Sequence, residues 1–507
     1  MVDNRRIAKN TLLLYFRLLL MVAIQLYTVP ILLKALGTED YGLYNVIGSV
    51  MALVSLVGFI TSGSQRFFSY AIGENNKRKL ESLFISTRSI CIIIAAIVFV
   101  FLEIAGLWFL NNKMHIPMGR HSAAVWVFQL STITFCIGLL SIPYKALIVA
   151  YERMNYFAYV SIFLSFLKLM AAILINYIFA DTLIMYAIII FFIQILERVA
   201  DQYYCYINFS ESRSMKLYVD RKLGYELLTY SSLNVIGGVA LSLRKQGMNV
   251  LINLFFGTII NAAHSIANQI STVTSNMIGG LYQASRPQIT KSCANGDLDG
   301  MWKLVYRTSL LAYYLVMSIS VFIIFELPSI LVIWLHVVPS FTVEIARVML
   351  ICLMLETITN QLISVLQAMN RIKECQLFSS VIMLMNLPLA YLILKIDDTS
   401  IMYPYYVQIF ISIFYVMSII IVCKKVAQLR IHDFLYEIML REVIITIFVV
   451  ICAFLIKVCM PPTFIRVMVT FIGVSLASLF LVLTIGFNKS DKEKIMGIMK
   501  AKMSFIK

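Results

Sequence analysis

Basic side chains stand inside long apolar runs at Arg17, Lys168 and Arg198, and as the pair Arg244-Lys245 in the stretch VALSLRKQGMNVLINL at 239–254. An ionic group within hydrocarbon is costly, and it usually faces a wet cavity or a partner. Guanidinium forks and ammonium groups placed that way can hold an anion, and the arginine fork suits phosphate oxygens. Lys245 belongs to a polar helical face, Ser231, Asn234, Gly238, Ser242, Lys245, Asn249 and Asn253, which steps by three or four residues. Arg244 sits about 100° off that face. A cavity lining is one reading of the pair; snorkelling to the outer interface is the other. Helix packing alone also explains the small residues of the stripe. Lys168, near the middle of its span, has neither interface within easy reach. Lys145 follows Pro143 near the inner end of its helix and can snorkel; Arg198 adjoins Glu197, and those two can neutralise each other. The acids within spans are Glu103, Glu197, Glu326 and Glu356, the last being deepest. Bases outnumber acids there, so a cavity among these helices is expected to attract an anion.

The elements that must position these groups are membrane helices. Of 507 residues 61% are hydrophobic and 13% charged, too little charge to cover a soluble protein of this size. Runs such as SICIIIAAIVFVFL at 89–102 and VIITIFVVICAFLI at 443–456 carry no charge. About 20 such residues cross about 30 Å of hydrocarbon. Solid apolar runs exclude a β-barrel, whose strands alternate. The fold class is therefore all-α integral membrane, with about fourteen helices near 10–34, 41–64, 87–111, 122–149, 156–180, 183–207, 225–255, 262–285, 304–327, 343–369, 376–395, 401–423, 441–459 and 465–487. The segment after Pro328 is expected to run along the interface. No cleavable leader is evident after MVDNRRIAKN. The nine cysteines show no CxxC pair, so neither a disulfide framework nor a metal site is expected.

The net charge of +16 is read as loop charge rather than a nucleic-acid surface, because the cations fall mostly on one side. About 29 of them, from Arg5 to the lysine tail ending at Lys507, share the side of both termini, against about seven opposite, among them Lys34, Arg120, Lys457 and Arg466. That bias puts both termini in the cytoplasm. The outer loops are too short for an external enzyme or receptor domain.

A shift of 220 residues relates two stretches. Tyr41, Asn45, Gly48, Ala52, Ser55, Phe59, Ser62 and Arg66 on helix two correspond to Asn261, Ser265, Asn268, Thr272, Ser275, Gly279, Tyr282 and Arg286 on helix eight. Gly37-Thr38 and Gly257-Thr258 precede them, and AYERM at 150–154 resembles AMNRI at 368–372. Two parallel-repeat six-helix lobes are expected, 1–210 and 220–425, followed by a helix pair and basic tail, 426–507. Transporters with such repeats bind cargo near the midplane between them.

The opening NTLLLYFRLLLMVAIQLYTVPILLKALGTEDYGLYNVIGSVMALVSLVGFITSGSQRFFSYAIGE resembles bacterial polysaccharide-exporting flippases. The features are a proline near the end of the first helix (Pro30), then LG-x-x-x-YGLY, and a helix ending in S-x-x-RF. They mark the oligosaccharide and O-antigen branch of the multidrug/oligosaccharidyl-lipid/polysaccharide exporter (MOP) superfamily, to which lipid II flippases are related. The resemblance implies two lobes, alternating access and a cationic central cavity. It implies as cargo an undecaprenyl-pyrophosphate-linked oligosaccharide flipped to the periplasmic leaflet of the inner membrane, and polysaccharide-assembly proteins as further partners. It also gives the basic residues of each lobe's first helices a cavity-lining role, carried here by Arg17, Arg244 and Lys245. The last helix pair would hold the lipid tail.

Substrate contacts are thus expected from Arg17, Gln25, Lys168, Arg198, Arg244, Lys245, Asn249 and Asn268, and an inner gate or cytoplasmic anchor from Arg66, Lys145 and Arg286. No phosphate-binding P-loop is present, so H+ or Na+ coupling is the expected drive, with Glu356 as candidate site and no organic cofactor. A drug or cation antiporter of the same superfamily is the nearest alternative, though it would want acids in the cavity. A membrane-embedded sugar polymerase or glycosyltransferase would need an extra domain with metal-holding carboxylates. A membrane scaffold without transport is the third.

Overall fold

The computed structural model describes residues 4–53, 58–177, 180–214, 216–218, 221–335, 337–369, 371 and 379–486. Among them twelve helical segments are long and apolar enough to cross a membrane. Two of the underlying helices are broken by a glycine. α1 (Asn4–Leu53) turns at Gly37 and α7 (Arg221–Ala294) at Gly257. At 1.5 Å per residue α7 would otherwise run about 110 Å, several bilayers long. The two breaks share one backbone conformation, φ 76° with ψ 172° at Gly37 and φ 76° with ψ −168° at Gly257. That region is closed to residues with a Cβ, so these glycines define where one span ends and the next begins.

α2 (Gly58–Gly73), α3 (Lys77–Phe101), α4 (His121–Ala150), α5 (Met154–Leu174) and α6 (Thr182–Asn208) follow α1. α3 starts ten residues before the sequence-based limit. Its charged first turns, Lys77 to Glu81, are helical, started by Asn76, which accepts a hydrogen bond from the Lys79 amide. Beyond the π-turn Leu102–Gly106 the helix continues to Asn112. After α7 come α8 (Leu298–Trp334), α9 (Thr342–Thr357), α10 (Thr359–Ala368), α11 (Asn386–Ile396), α12 (Tyr403–Ala427), α13 (Leu440–Cys459) and α14 (Phe464–Leu481). α8 runs through Pro328 without a break, so the segment after this proline is helix, not a separate interfacial stretch.

The chain divides into two compact units, residues 1–265 with 335–340, and 266–334 with 341–507. In the first, α4 packs on α6, α3 and α2, and α1 on α5. Its core is aromatic, built on Phe68, Phe84, Tyr144 and Phe209. In the second, α8 packs on α9, α13 and α14, and α12 on α9, α10 and α11. Lipid is as apolar as leucine, so close packing and polar contacts hold such helices together. One polar contact fixes the last pair. Arg466 on α14 donates from Nε and Nη2 to the Glu326 carboxylate of α8 at 3.0–3.2 Å, and Thr470 donates to the same carboxylate at 3.0 Å. Glu326 is 0% and Arg466 7% exposed. The sequence reading assigned Arg466 to the outer loop cations; it is instead the buried partner of an intramembrane acid.

Candidate functional site

The first unit holds most of the expected site residues. Arg17 of α1 reaches α5, where Nη1 donates to Ser161 Oγ at 3.5 Å and the guanidinium lies 4.6 Å from the Phe157 ring centroid. Phe157, Ser161 and Lys168 are spaced by four and seven residues, one face of α5. Lys168 is exposed and about 10 Å along that face from Ser161. Neither cation has a carboxylate partner among the described residues. Gln25 is exposed on α1.

Arg198 and Lys145 fall elsewhere, in a balanced cluster. Lys145 Nζ donates to Glu197 Oε1 at 2.6 Å, and Gln194 Nε2 to the other oxygen at 3.0 Å. Glu197 therefore pairs with Lys145 of α4, not with its neighbour Arg198. Arg198 instead lies over the Tyr144 ring at 4.2 Å, and its charge and that of Lys145 act on the buried Asp201. Tyr156 donates to Asp201 Oδ1 at 3.3 Å. Two cations and two carboxylates thus offset one another, and Lys145 is tied into α6 rather than reaching for the interface. Asp201 escaped the sequence reading because it lies near a span end.

The α7 stripe divides by use. Lys245 is exposed and Arg244 buried at 7%. Asn249 donates from Nδ2 to Ser49 Oγ at 2.5 Å, and its carbonyl accepts from Asn261 Nδ2 at 2.6 Å. Asn253 accepts from the His115 amide and donates to the His115 carbonyl. These asparagines join α7 to α1 and to the loop before α4, so packing uses them. The side chains of Ser231, Asn234, Gly238 and Arg66 lie outside the described residues. Gly42 of α1 passes so close to Thr258 that a Cβ would collide with its carbonyl. Beside α1, a cavity of about 310 Å³ is lined by Tyr44, Gly48, Ser131, Thr134, Gly138 and Gln194, among others. With Met51, Phe135, Leu139 and Ile190 also in the lining, these groups suit a largely apolar organic ligand with a few polar atoms.

Opposite the cationic face, Arg120 binds Asp40 and Asp181, donating to Asp40 Oδ1 at 2.9 Å and to Asp181 Oδ2 at 2.6 Å. Asp181 also caps α6, accepting from the Leu183 and Ile184 amides. Burial pushes the Asp181 carboxyl up, but these hydrogen bonds and the Arg120 charge outweigh it and hold it below its ordinary value.

In the second unit Glu356 accepts from Ser412 Oγ at 2.8 Å, Asn268 is half-buried and Arg286 exposed. Glu442 on α13, missed in sequence because it adjoins the charged border at Arg441, is 1% exposed. No group of three or more metal-binding side chains occurs among the described residues.

The chain is similar in fold to solved MOP-superfamily transporters. An inward-facing multidrug resistance MATE family transporter matches with TM-score 0.68 at 14% identity, covering 79% of this chain and 92% of that one. An outward-facing structure of a MATE family transporter gives 0.58 at 12%, covering 81% and 93%. A MOP superfamily transporter from Pyrococcus furiosus Vc1, described as having a binding pocket of reverse polarity that suggests a different function, gives 0.61 at 12%, covering 82% and 94%. At 12–14% identity the likeness is one of fold. No curated protein matches the chain in sequence. The sequence family described as "Polysaccharide biosynthesis protein" matches over residues 7–292. This stretch is over half the chain and takes in α1, both glycine breaks and the cation-bearing spans, and by it the protein belongs to the polysaccharide biosynthesis protein family.

Proposed function

We propose that this protein flips a negatively charged, lipid-linked oligosaccharide across a bacterial cytoplasmic membrane by alternating access, with both termini in the cytoplasm. The observation that carries the reading is the α1–α5 face: Lys168 lies within the span Met154–Tyr177, Arg17 just before the span that starts at Leu20, and among the described residues no carboxylate pairs with either. Such groups persist where water or an anion meets them. A diphosphate linking a sugar unit to a prenyl chain is an anion of that kind, and undecaprenyl pyrophosphate is the carrier this family reading favours. Within the first unit the exposed Lys245 supplies a further cation and the exposed Gln25 an amide for sugar hydroxyls. Arg198 and Lys145 hold the balanced cluster instead, and Asn249 positions α7. In this reading the lobes are 1–210 and 220–425. The identical breaks at Gly37 and Gly257 support such a repeat, and the 426–507 segment carries the lipid-facing pair.

Charge removal tests it. Arg17→Gln with Lys168→Gln should leave the protein in the membrane but lower surface glycan about tenfold or more, since hydrogen bonds to charged groups contribute about 1.5–3 kcal/mol each. Lipid-linked sugar should accumulate on the cytoplasmic leaflet. Undiminished surface glycan in the double variant would overturn the reading.

The likeness to multidrug transporters favours a second reading, export of organic cations driven by an ion gradient, with the 310 Å³ cavity as binding site and Glu356 as ion site. It requires that Glu356→Gln abolish tolerance to cationic drugs while Arg17→Gln leaves it intact. The Pyrococcus furiosus protein, whose reverse pocket polarity is said to suggest a different function, supports letting the sign of the charge choose between the two.

A further inference from the structure

Glu442 lies one turn into α13, outside both expected lobes. Its side chain is 1% exposed, and no hydrogen bond reaches either carboxylate oxygen. Among the described residues its charge acts on three tyrosines, Tyr282 of α7 and Tyr313 and Tyr314 of α8. Of the neighbouring spans, 266–285, 308–325 and 467–486 contain no Asp, Glu, Lys, Arg or His; among the ionic residues near these contacts in sequence are Arg307 on α8, Glu437 before α13 and Glu356 beside Thr357. On its own helix, Arg441 points to the end of the hairpin, where Nη1 donates to the Gly486 carbonyl at 3.5 Å. Glu326, the other fully buried acid of this unit, is by contrast met by Arg466, Thr470 and so an ion pair. Among the described residues nothing offsets the penalty of several kcal/mol that a buried, unpaired carboxylate carries.

We propose that Glu442 is a proton-binding site that couples the packing of the α13–α14 hairpin against α8 to pH, a role independent of what the protein carries. In the packed state the carboxyl holds its proton. Release gives a carboxylate and a proton taken up by water. The new charge then demands solvent or Arg441, and α13 must loosen from Tyr313 and Tyr314 to admit either. A polar path leads to the site. Tyr282 sits on the small-and-polar face of α7, donates to the Thr357 carbonyl at 3.3 Å and accepts from Asn360 Nδ2 at 3.4 Å. On the far side Tyr313 shares a hydrogen bond with Thr446 at 3.0 Å, one turn beyond Glu442. Hydroxyls can relay a proton to a group that water does not touch.

The test uses the full chain in lipid vesicles. Infrared difference spectra should contain a protonated-carboxyl C=O band at neutral pH that Glu442→Gln, a neutral isostere, lacks. Alkaline buffer should remove that band and speed amide hydrogen exchange along α13 in the wild type at least tenfold, while Glu442→Gln stays protected. Absence of a Glu442-dependent acid band at neutral pH overturns the proposal, as does an equal response of α13 in both proteins. Neither readout involves cargo, so failure of the flippase reading would leave this result standing, and the reverse.

Discussion

At the scale of single residues, the charges sort by whether they find an opposite. Arg120 finds two, and its hold on Asp181 makes a pH prediction outside the spans. The Asp181 carboxyl is held below its ordinary value of 3.8, so the stabilisation is fully present above that pH and is lost as pH falls through the depressed value. Arg120→Gln should therefore lower the thermal midpoint at neutral pH, and the gap between variant and wild type should close as the solution is acidified below about pH 4. A constant gap across the titration would show that the contact contributes packing alone. Which cations lack an acid nearby on their own helix was visible in the residues themselves. Arg17 and Lys168 stand out because their own helices offer no acid within a turn. The partner of Glu197 was not visible, because adjacent residues on a helix diverge by about 100° and Lys145 arrives from another helix. Arg466 was misplaced for the same reason: a sequence shows distance from a span end, not the acid waiting on α8.

At the scale of elements, the glycine breaks were the most legible feature. Their Gly-Thr pairs stood at corresponding positions before any coordinates, and both proved to be sites of one backbone conformation. Gly37→Ala and Gly257→Ala should each cost about 1–3 kcal/mol, read as a lower midpoint in detergent. Gly48→Ala, on the same helix face with nothing within 4 Å of the added Cβ, should be nearly silent. Equal effects at all three would mean the breaks carry no strain requirement. Helix limits were less legible. α3 and α8 begin six to ten residues before their apolar runs do, since charge marks the edge of hydrocarbon and hydrogen bonding marks the end of a helix.

At the scale of the whole molecule, composition alone was enough for a membrane chain of many helices, and it was silent on how the last pair is fastened. The Arg466–Glu326 contact does that, and it is buried. Arg466→Met should cost about 3–5 kcal/mol because it strands a carboxylate. Adding Glu326→Leu should recover most of the loss, measured as the thermal midpoint of the purified protein. If the double variant is as unstable as the single one, the contact is required for more than charge balance. Arg17 and Lys168 in the first unit are the complementary case, cations without a carboxylate partner among the described residues.

The same contact also sets an order of events during biogenesis. Its two ends are 140 residues apart in the chain, so at about 5–20 residues per second the ribosome delivers Arg466 about 7–28 s after Glu326 has been made. For that interval α8 is in the bilayer with an unmatched acid. The fastening of α14 to α8 is thus a late step, possible only after α14 has emerged. The last tenth of the polypeptide is therefore what completes this contact.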